Sequence, residues 1–579
     1  MDRAAFIRVA TLDELRSKGV VVVQGKICPV AVFEHDGEVS AVDNRCPHLG
    51  FPLHKGTVKD RILICHWHQA RFDLCSGCTF DLFADDIPSY ETKVENGVVH
   101  VASTPRHRAD EEYHLRRLHK GMEQNIGLLQ AKSLIGLLKT PSSSVPQIIR
   151  DVAQYGTQNQ SVPGGFTELA IAGNLQNVVT PETQYYLLLR GSQQIANSSR
   201  NSKRQVREAL SGSQYSFETL KRWFYQWVQG RDRDATERVL LTALEMHTPP
   251  AQLAELLFGA ASERVYSAQG HVFDFINKCF ELLDQVGWNC AADVLPLALD
   301  NLVASRGMEE NSSWHHPIEM IEPLRAIERE LPGILENAQG KTWKDDGSLN
   351  AVLLGEDPLA ILERLKSALA AGAPPRELSK RVCYAASMRL ARFAKANEVG
   401  DWFNPEHTYI FANAVHQAIV RTNAPGVVRA IFHAALAVYM DRFLNVPAAK
   451  LPDEAPEHEK LSTDAKALRE MLLEQLNQQS RIDETARIVS HYMKLKFPLA
   501  PLFDTLAYAT VREDLDFHTL QVLEAGFQQC KEWEGQPHAA HILVGVIRNL
   551  AAVCPTARAR LRTAVTALKL HHGDRIYED

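Results

Sequence analysis

Long apolar runs are missing from this sequence: no stretch approaches the roughly 18 consecutive apolar residues that a membrane-spanning helix needs, so no membrane partner is expected. An excess of positive charge is missing too. Sixty-three Lys and Arg stand against 70 Asp and Glu, a net charge of -7, and such a balance does not suit a chain that grips phosphate backbones along its length. Nucleic acid is therefore not an expected partner. No G-x-G-x-x-G follows a strand-like segment, which removes the usual dinucleotide pocket. The amino-terminal MDRAAFIRVATLDEL carries charges where an export signal needs an apolar run, so the expected address is the cytoplasm. Cysteine is scarce, with 10 in 579 residues, which is too thin a supply for a disulfide framework; a reducing compartment would keep most of them as thiols.

What is present is an ordinary globular composition, 45% hydrophobic and 23% charged, in a chain long enough for three or four units at about 150 residues each. The cysteines are unevenly placed. Cys28, Cys46, Cys65, Cys75 and Cys78 crowd the front, while Cys279, Cys290, Cys383, Cys530 and Cys554 are scattered behind. From Val20 to Val101 short β-type runs (VVVVQ, PVAVF, HDGEVSAV, RILIC, ENGVVHVA) alternate with turn signals, which predicts a small β domain. Its two polar loops, NRCPHLGFPLHKG and CHWHQARFDLCSGC, read Cys46-x-His48 and Cys65-x-x-His68. Two thiolates and two imidazoles are a chemically adequate zinc set, but zinc fingers pair like residues on one loop. Here each loop supplies one of each, which is what a cluster with one sulfur-ligated and one histidine-ligated iron demands.

On these residues, 1 to about 105 resemble a Rieske [2Fe-2S] domain of the bacterial ferredoxin and oxygenase type. Trp67 between the ligands, Phe72-Asp73 opening the next strand and the preceding RILIC also fit that family's second cluster loop. The resemblance implies one [2Fe-2S] cluster per chain, with Cys46 and Cys65 on one iron and His48 and His68 on the other. High-potential members carry an inter-loop disulfide and hydroxyl donors beside the sulfurs. This chain has Phe51, Ala70 and Phe72 there, which implies a lower potential. Gln69 replaces the usual small residue after the second histidine. Cys75-x-x-Cys78 has redox spacing, yet a pair of thiols in a surface turn accounts for it, since no second pair completes a metal site.

The expected architecture is multidomain: a small all-β Rieske domain (1–105), a linker and helical region (106–234), and a large all-α body (235–579). PRHRADEEYHLRRLHKG marks the boundary near 106. The body carries three internal helical repeats, about 235–305, 357–447 and 484–556. Each has a helix, a proline turn, a second helix and then a histidine opening a third: His271 in HVFDFINKCFELL, His407 in HTYIFANAVHQAI and His518 in HTLQVLEAGFQQC. Following helices begin at His433 and His541, with Asp293 at the corresponding place in the first copy. SRGMEENSSWHHP and LPDEAPEHEK connect the copies, which are expected to stack side by side as an array. The unit is faintly similar to the repeat of carboxymuconolactone decarboxylase-like proteins, whose helical C-x-x-C is absent here, and the whole resembles uncharacterised Rieske-containing proteins with helical bodies.

Facing helices that each send in an imidazole are how bundle-type iron sites are built. A second metal site, with a second iron as its occupant, therefore draws its candidates from His271, Asp293, His407, His433, His518 and His541, with Asp274 in reserve. The competing use of such histidines is packing between helices with one nitrogen bonded to the backbone. His416 lies about half a turn from the His407 face, and His315 and His316 sit in a polar connection. The Asp-x-x-His-x4-His helix of ring-hydroxylating oxygenases does not occur, so their substrates do not carry over. Besides a cluster-based sensor, two functions remain open. One is an oxidoreductase, an oxygenase among its forms, that relays single electrons from a separate reductase or ferredoxin to a helical domain holding a small-molecule substrate. The other is an electron carrier whose helical array docks a redox partner without catalysis of its own.

Overall fold

The computed structural model describes residues 5–26, 28–106, 110–200, 205, 207–211, 215–454, 461–572 and 574. Residues 107–109 of the boundary segment and 455–460 of the linker LPDEAPEHEK lie outside the described residues. Two compact units result, one made of 1–144 with 559–579, the other of 145–558.

The first unit is built on β strands. A six-stranded antiparallel sheet runs in the order β1-β9-β8-β4-β3-β2, and a three-stranded sheet in the order β5-β6-β7. The strands are β1 (Phe6–Thr11), β2 (Val20–Val23), β3 (Val30–His35), β4 (Glu38–Asp43), β5 (Thr57–Lys59), β6 (Ile62–Ile64), β7 (Arg71–Asp73), β8 (Ser89–Glu95) and β9 (Val98–Pro105). Helix α1 (Leu12–Lys18) follows β1. The β3–β4 hairpin turns on Asp36-Gly37 and the β8–β9 hairpin on Asn96-Gly97, with positive φ at all four residues, as a two-residue turn matching the strand twist requires. Its core joins Ala31, Phe33 and Val42 of the large sheet to Leu63 and Phe72 of the small one, with Cys46 and Cys65 in the same cluster.

Two helices, α2 (Glu111–Glu123) and α3 (Gly127–Lys139), complete this unit. Asp110 caps α2 by accepting from the Tyr113 N–H at 2.8 Å, and Glu111 and Glu112 suit the positive end of the helix dipole. The closing helix Ala559–His572 packs on α3, and Arg45 in the first cysteine loop donates to the Leu570 carbonyl at 2.8 Å.

The second unit is helical. Its repeats read as the helices Arg233–Glu245 and Pro250–Ala261, then Pro358–Ala370 and Pro375–Ala391, then Ile482–Lys494 and Leu499–Val511, each pair followed by a histidine-bearing helix. With α4 (Pro163–Asn174) outside the repeats, those three are α5 (His271–Val286), α6 (Phe403–Arg421) and α7 (Phe517–Glu532). They do not line up in a row. Helix α6 packs on α5 and on α7, and α4 packs on both from the opposite side, which closes a four-helix core. The first and third copies therefore meet directly. A stack in which each copy touched only its neighbour would keep them apart.

The core of this bundle is polar over much of its length. Lys278 lies between Glu281 and Glu524 at 2.7 and 2.6 Å, and Asn174 and Asn277 donate to the same carboxylates. Asn277, Asn413 and Glu524 stand six residues after His271, His407 and His518, so equivalent positions of the three copies share one layer. Gln528 and Gln529 join Asn413 to that layer.

Candidate metal centres

The two loops of the β unit are built alike around their cysteines. The Cys46 N–H donates to the Phe51 carbonyl at 2.8 Å, and the Gly50 N–H to the Cys46 carbonyl at 2.7 Å. In the second loop the Cys65 N–H donates to Ala70 and the Gln69 N–H to Cys65, at 2.9 and 3.0 Å. The fourth residue after each cysteine has positive φ, 88° at Gly50 and 59° at Gln69. Gln69 thus stands where a tight turn favours glycine, at a cost of about 1 kcal/mol.

This shared loop geometry brings the four donors together. The Cys46 and Cys65 thiols are buried against each other, and the His48 and His68 rings meet edge to face with centroids 4.6 Å apart. Hydrogen bonding from Cys46 lowers the Cys65 thiol to about 6, while the same bond and burial push Cys46 up. Burial, with His68 and Lys132 nearby, holds His48 down at about 4, so its ring is neutral and able to donate a lone pair. The buried His48 Nδ1 has no hydrogen-bond partner. Two thiol ligands and two neutral imidazoles, one with an orphaned nitrogen, fit a [2Fe-2S] cluster of mixed ligation.

Lys132 of α3 reaches under the first loop, donating to the Pro47 carbonyl and standing 3.4 Å from Asp85. Arg117 of α2 holds Asp85 from the other side at 2.5 Å. Nothing in the sequence pointed to Lys132, because 85 residues separate it from Pro47. Phe83 and Trp67 pack against the two histidine rings, with centroids 5.1 and 5.4 Å away. Cys75 and Cys78 sit unbridged in a turn closed by Asp73, which accepts from Gly77 at 2.8 Å and donates to Cys78 at 2.9 Å through main-chain groups.

In the helical unit three of the repeat histidines converge. Candidate ligand atoms of His271, His407 and His518 all lie within 4.8 Å of one another, and the Nε2 atoms of His271 and His518 are 3.1 Å apart. Burial first, then the neighbouring rings, lowers His271 to about 3 and His407 to about 4. A cavity of about 900 Å³ opens beside them, lined by His271, His518, Phe275, Phe517, Gly164 and Arg233 among others.

The other candidates go elsewhere. His433 Nε2 is 2.7 Å from Glu328, whose carboxyl burial pushes up but His433 and Arg325 draw down to about 2. His541 meets the Tyr384 hydroxyl at 2.8 Å, and Asp453 stands 3.8 Å from its other nitrogen. Asp293 is exposed on the short helix Ala291–Val294 and lines a different cavity with Trp288. Asp274 accepts from Gln521 at 2.6 Å, and burial raises it to about 6. His416 is buried against Ser379 at 2.9 Å, and His315 pairs with Glu319 near the surface. Sequence reasoning missed Asp516 and Arg190. Asp516 caps α7 and faces the outer side of the His518 ring, while the buried Arg190 bonds Glu168 and the carbonyls of Glu513, Leu515 and Asp516, fixing the approach to His518.

A family profile described as the Rieske [2Fe-2S] domain matches residues 5–91. The ferredoxin component of the naphthalene 1,2-dioxygenase/salicylate 5-hydroxylase systems of Ralstonia sp is 36% identical over 94 residues, a match covering 16% of this chain and 88% of that protein. The ferredoxin component of the naphthalene 1,2-dioxygenase system of Pseudomonas putida matches with the same identity and coverage. Among solved structures, the ferredoxin of carbazole 1,9a-dioxygenase from Nocardioides aromaticivorans is 26% identical, covering 17% of this chain and 98% of that chain at a TM-score of 0.16. No described helix is long and apolar enough to cross a membrane.

Proposed function

The chain belongs to the Rieske [2Fe-2S] family, and we propose that it is an oxidoreductase in which the β unit accepts single electrons from a separate reductase or ferredoxin and supplies them to the helical unit. The convergence of two thiols and two imidazoles from two loops of matching geometry carries this reading, together with the ferredoxin components it resembles. A [2Fe-2S] cluster bound there supplies reversible one-electron chemistry without an open coordination position. Cys46 and Cys65 would hold it from the buried side, where the apolar core excludes water, and His48 and His68 from the rim that Trp67 and Phe83 partly cover. Lys132 braces the first loop through Pro47 and places a cation behind it.

The cavity of about 900 Å³ is large enough for an organic molecule, and we assign the substrate to it. The eight cysteines besides Cys46 and Cys65 are unbridged, which suits a reducing compartment, and we place the reaction in the cytoplasm. The test is a potentiometric titration of the anaerobic full chain, followed by electron paramagnetic resonance. One single-electron transition per chain, abolished in Cys65→Ser, is the expected result. A colourless zinc protein with no such transition would overturn the reading.

A further inference from the structure

His271, His407 and His518 occupy equivalent places in three copies of one sequence unit, and the bundle brings them to one point. Equivalence alone is a packing fact. The hydrogen bonding around the rings says more.

Each ring has a polar group beside its outer side. His407 Nδ1 bonds the Phe403 carbonyl, and the His271 ring bonds the backbone of Gln269. His518 Nδ1 stands 3.1 Å from Asp516 Oδ2, off the axis of a well-formed hydrogen bond but within ion-pair reach. A neutral imidazole has one N–H, and an outward acceptor draws that proton away from the inner nitrogen. The Nε2 atoms of His271 and His518 stand 3.1 Å apart, a separation at which they either share one proton in a hydrogen bond or ligate one cation held between them. At His407 the outer acceptor fixes the tautomer, the arrangement that accompanies histidine ligands to metals.

Two turns further on along the same helices, Asn277, Asn413 and Glu524 each hydrogen-bond other side chains of the bundle. The histidine layer is delivered by strained backbone: Tyr266, Ala268, Gln269 and Gly270 all have positive φ, at 45°, 50°, 55° and 91°, immediately before His271. Left-handed backbone in non-glycine residues costs about 1 kcal/mol or more at each position, and tends to persist where function demands it. Gly270 further allows close approach to α6, since a Cβ there would lie 2.5 Å from Phe411 Cβ.

The fourth side of the bundle end carries no ligand. Helix α4 presents Pro163 and Gly164, and the cavity lined by His271 and His518 extends over them. We propose that His271, His407 and His518 bind one divalent first-row transition-metal ion through their Nε2 atoms, with its remaining coordination positions facing this cavity. Three neutral nitrogens suit such ions better than calcium or magnesium, which take oxygen ligands. They also leave the ion its full charge, so an oxygen-donor or anionic ligand is the class the open positions attract. Three protein ligands with an open position mark reactive rather than structural centres. This assignment goes beyond the electron-relay reading and stands without it.

The experiment is a Co²⁺ titration of the chelator-treated full chain, read by visible absorption and by metal content, with the Rieske signal recorded on the same samples. The expected result is one cobalt per chain with a coordination band, and at least a hundredfold weaker binding in both His407→Gln and His518→Gln. The Rieske signal should be unchanged in these variants, and His315→Gln should bind as wild type. Should a variant fail to fold, a Zn²⁺-dependent rise in the melting temperature of the wild-type helical transition carries the same expectation. Wild type that takes up no cobalt and shows no such rise, or variants that bind cobalt equally, would overturn the site. Loss of the Rieske signal in wild type, with cobalt still bound, would instead count against the electron-relay reading alone.

Discussion

Replacing Lys278 by methionine keeps the length of the side chain and removes the cation that Glu281 and Glu524 share. All three side chains are buried, with at most 8% of any exposed. Burial pushes Glu281 up, but Lys278, together with hydrogen bonds from Asn277 and Asn174, more than reverses this, whereas Glu524 is raised to about 7. Without the ammonium, Glu281 must take up a proton rather than remain a buried, unpaired charge. At pH 7 that proton is bound 2.5 pH units above the ordinary carboxyl value of 4.5, which costs about 3.4 kcal/mol. At pH 5 the same uptake costs about 0.7 kcal/mol. The sign follows from linkage. In wild type the lowered Glu281 contributes stability that is lost on acidification, while in the variant its raised value gives stability that is lost as pH rises. Urea unfolding followed by far-ultraviolet circular dichroism at both pH values tests this. The destabilisation should grow from under 1 to about 3 kcal/mol between pH 5 and 7, and Lys278→Met/Glu281→Gln should remove most of that pH dependence. Equal losses at the two pH values would refute the reasoning, as would no loss at pH 7.

His68→Ala should abolish the Rieske spectrum while the helical circular dichroism persists; a surviving spectrum would rule out that ligand. Gly270→Ala places a side chain at φ 91° and 2.5 Å from Phe411, so it should cost about 2–4 kcal/mol in urea unfolding, and a change below 0.5 kcal/mol would contradict the crowding argument. Asp441 is fully buried, and burial raises it to about 7, so its contribution to stability declines as pH rises from its ordinary value of 3.8 through 7. Asp441→Asn should therefore gain on wild type by up to about 2.5 kcal/mol between pH 5 and 8, whereas parallel pH profiles would exclude an ionising Asp441.

The β unit was largely legible because its chemistry is local. Cys46, His48, Cys65 and His68 fall within two neighbouring loops, and Asp36-Gly37 and Asn96-Gly97 announce the hairpins. Gln69 looked like a departure in the sequence, and the structure shows why it matters: it adopts the positive φ that Gly50 adopts in the partner loop. The support given by Lys132 left no trace in the sequence, since a lysine in an amphipathic helix normally faces water.

The helical unit was legible as elements and illegible as a centre. Periodicity found the helix, proline turn and histidine pattern, and it named six candidate ligands on equal terms. Choosing among them depends on how the helices close. His271 and His518 are 247 residues apart and meet because α5 and α7 both border α4 and α6. His433 and His541 lie on the helices that follow, where Glu328 and Tyr384 already occupy them. The sequence by itself determined the two-loop iron-sulfur motif, the helical class of the body and the spacing of its repeats. Only the tertiary structure decided which histidines share a point in space, because spacing along a helix defines a face, whereas coordination needs three faces to converge within a few ångströms.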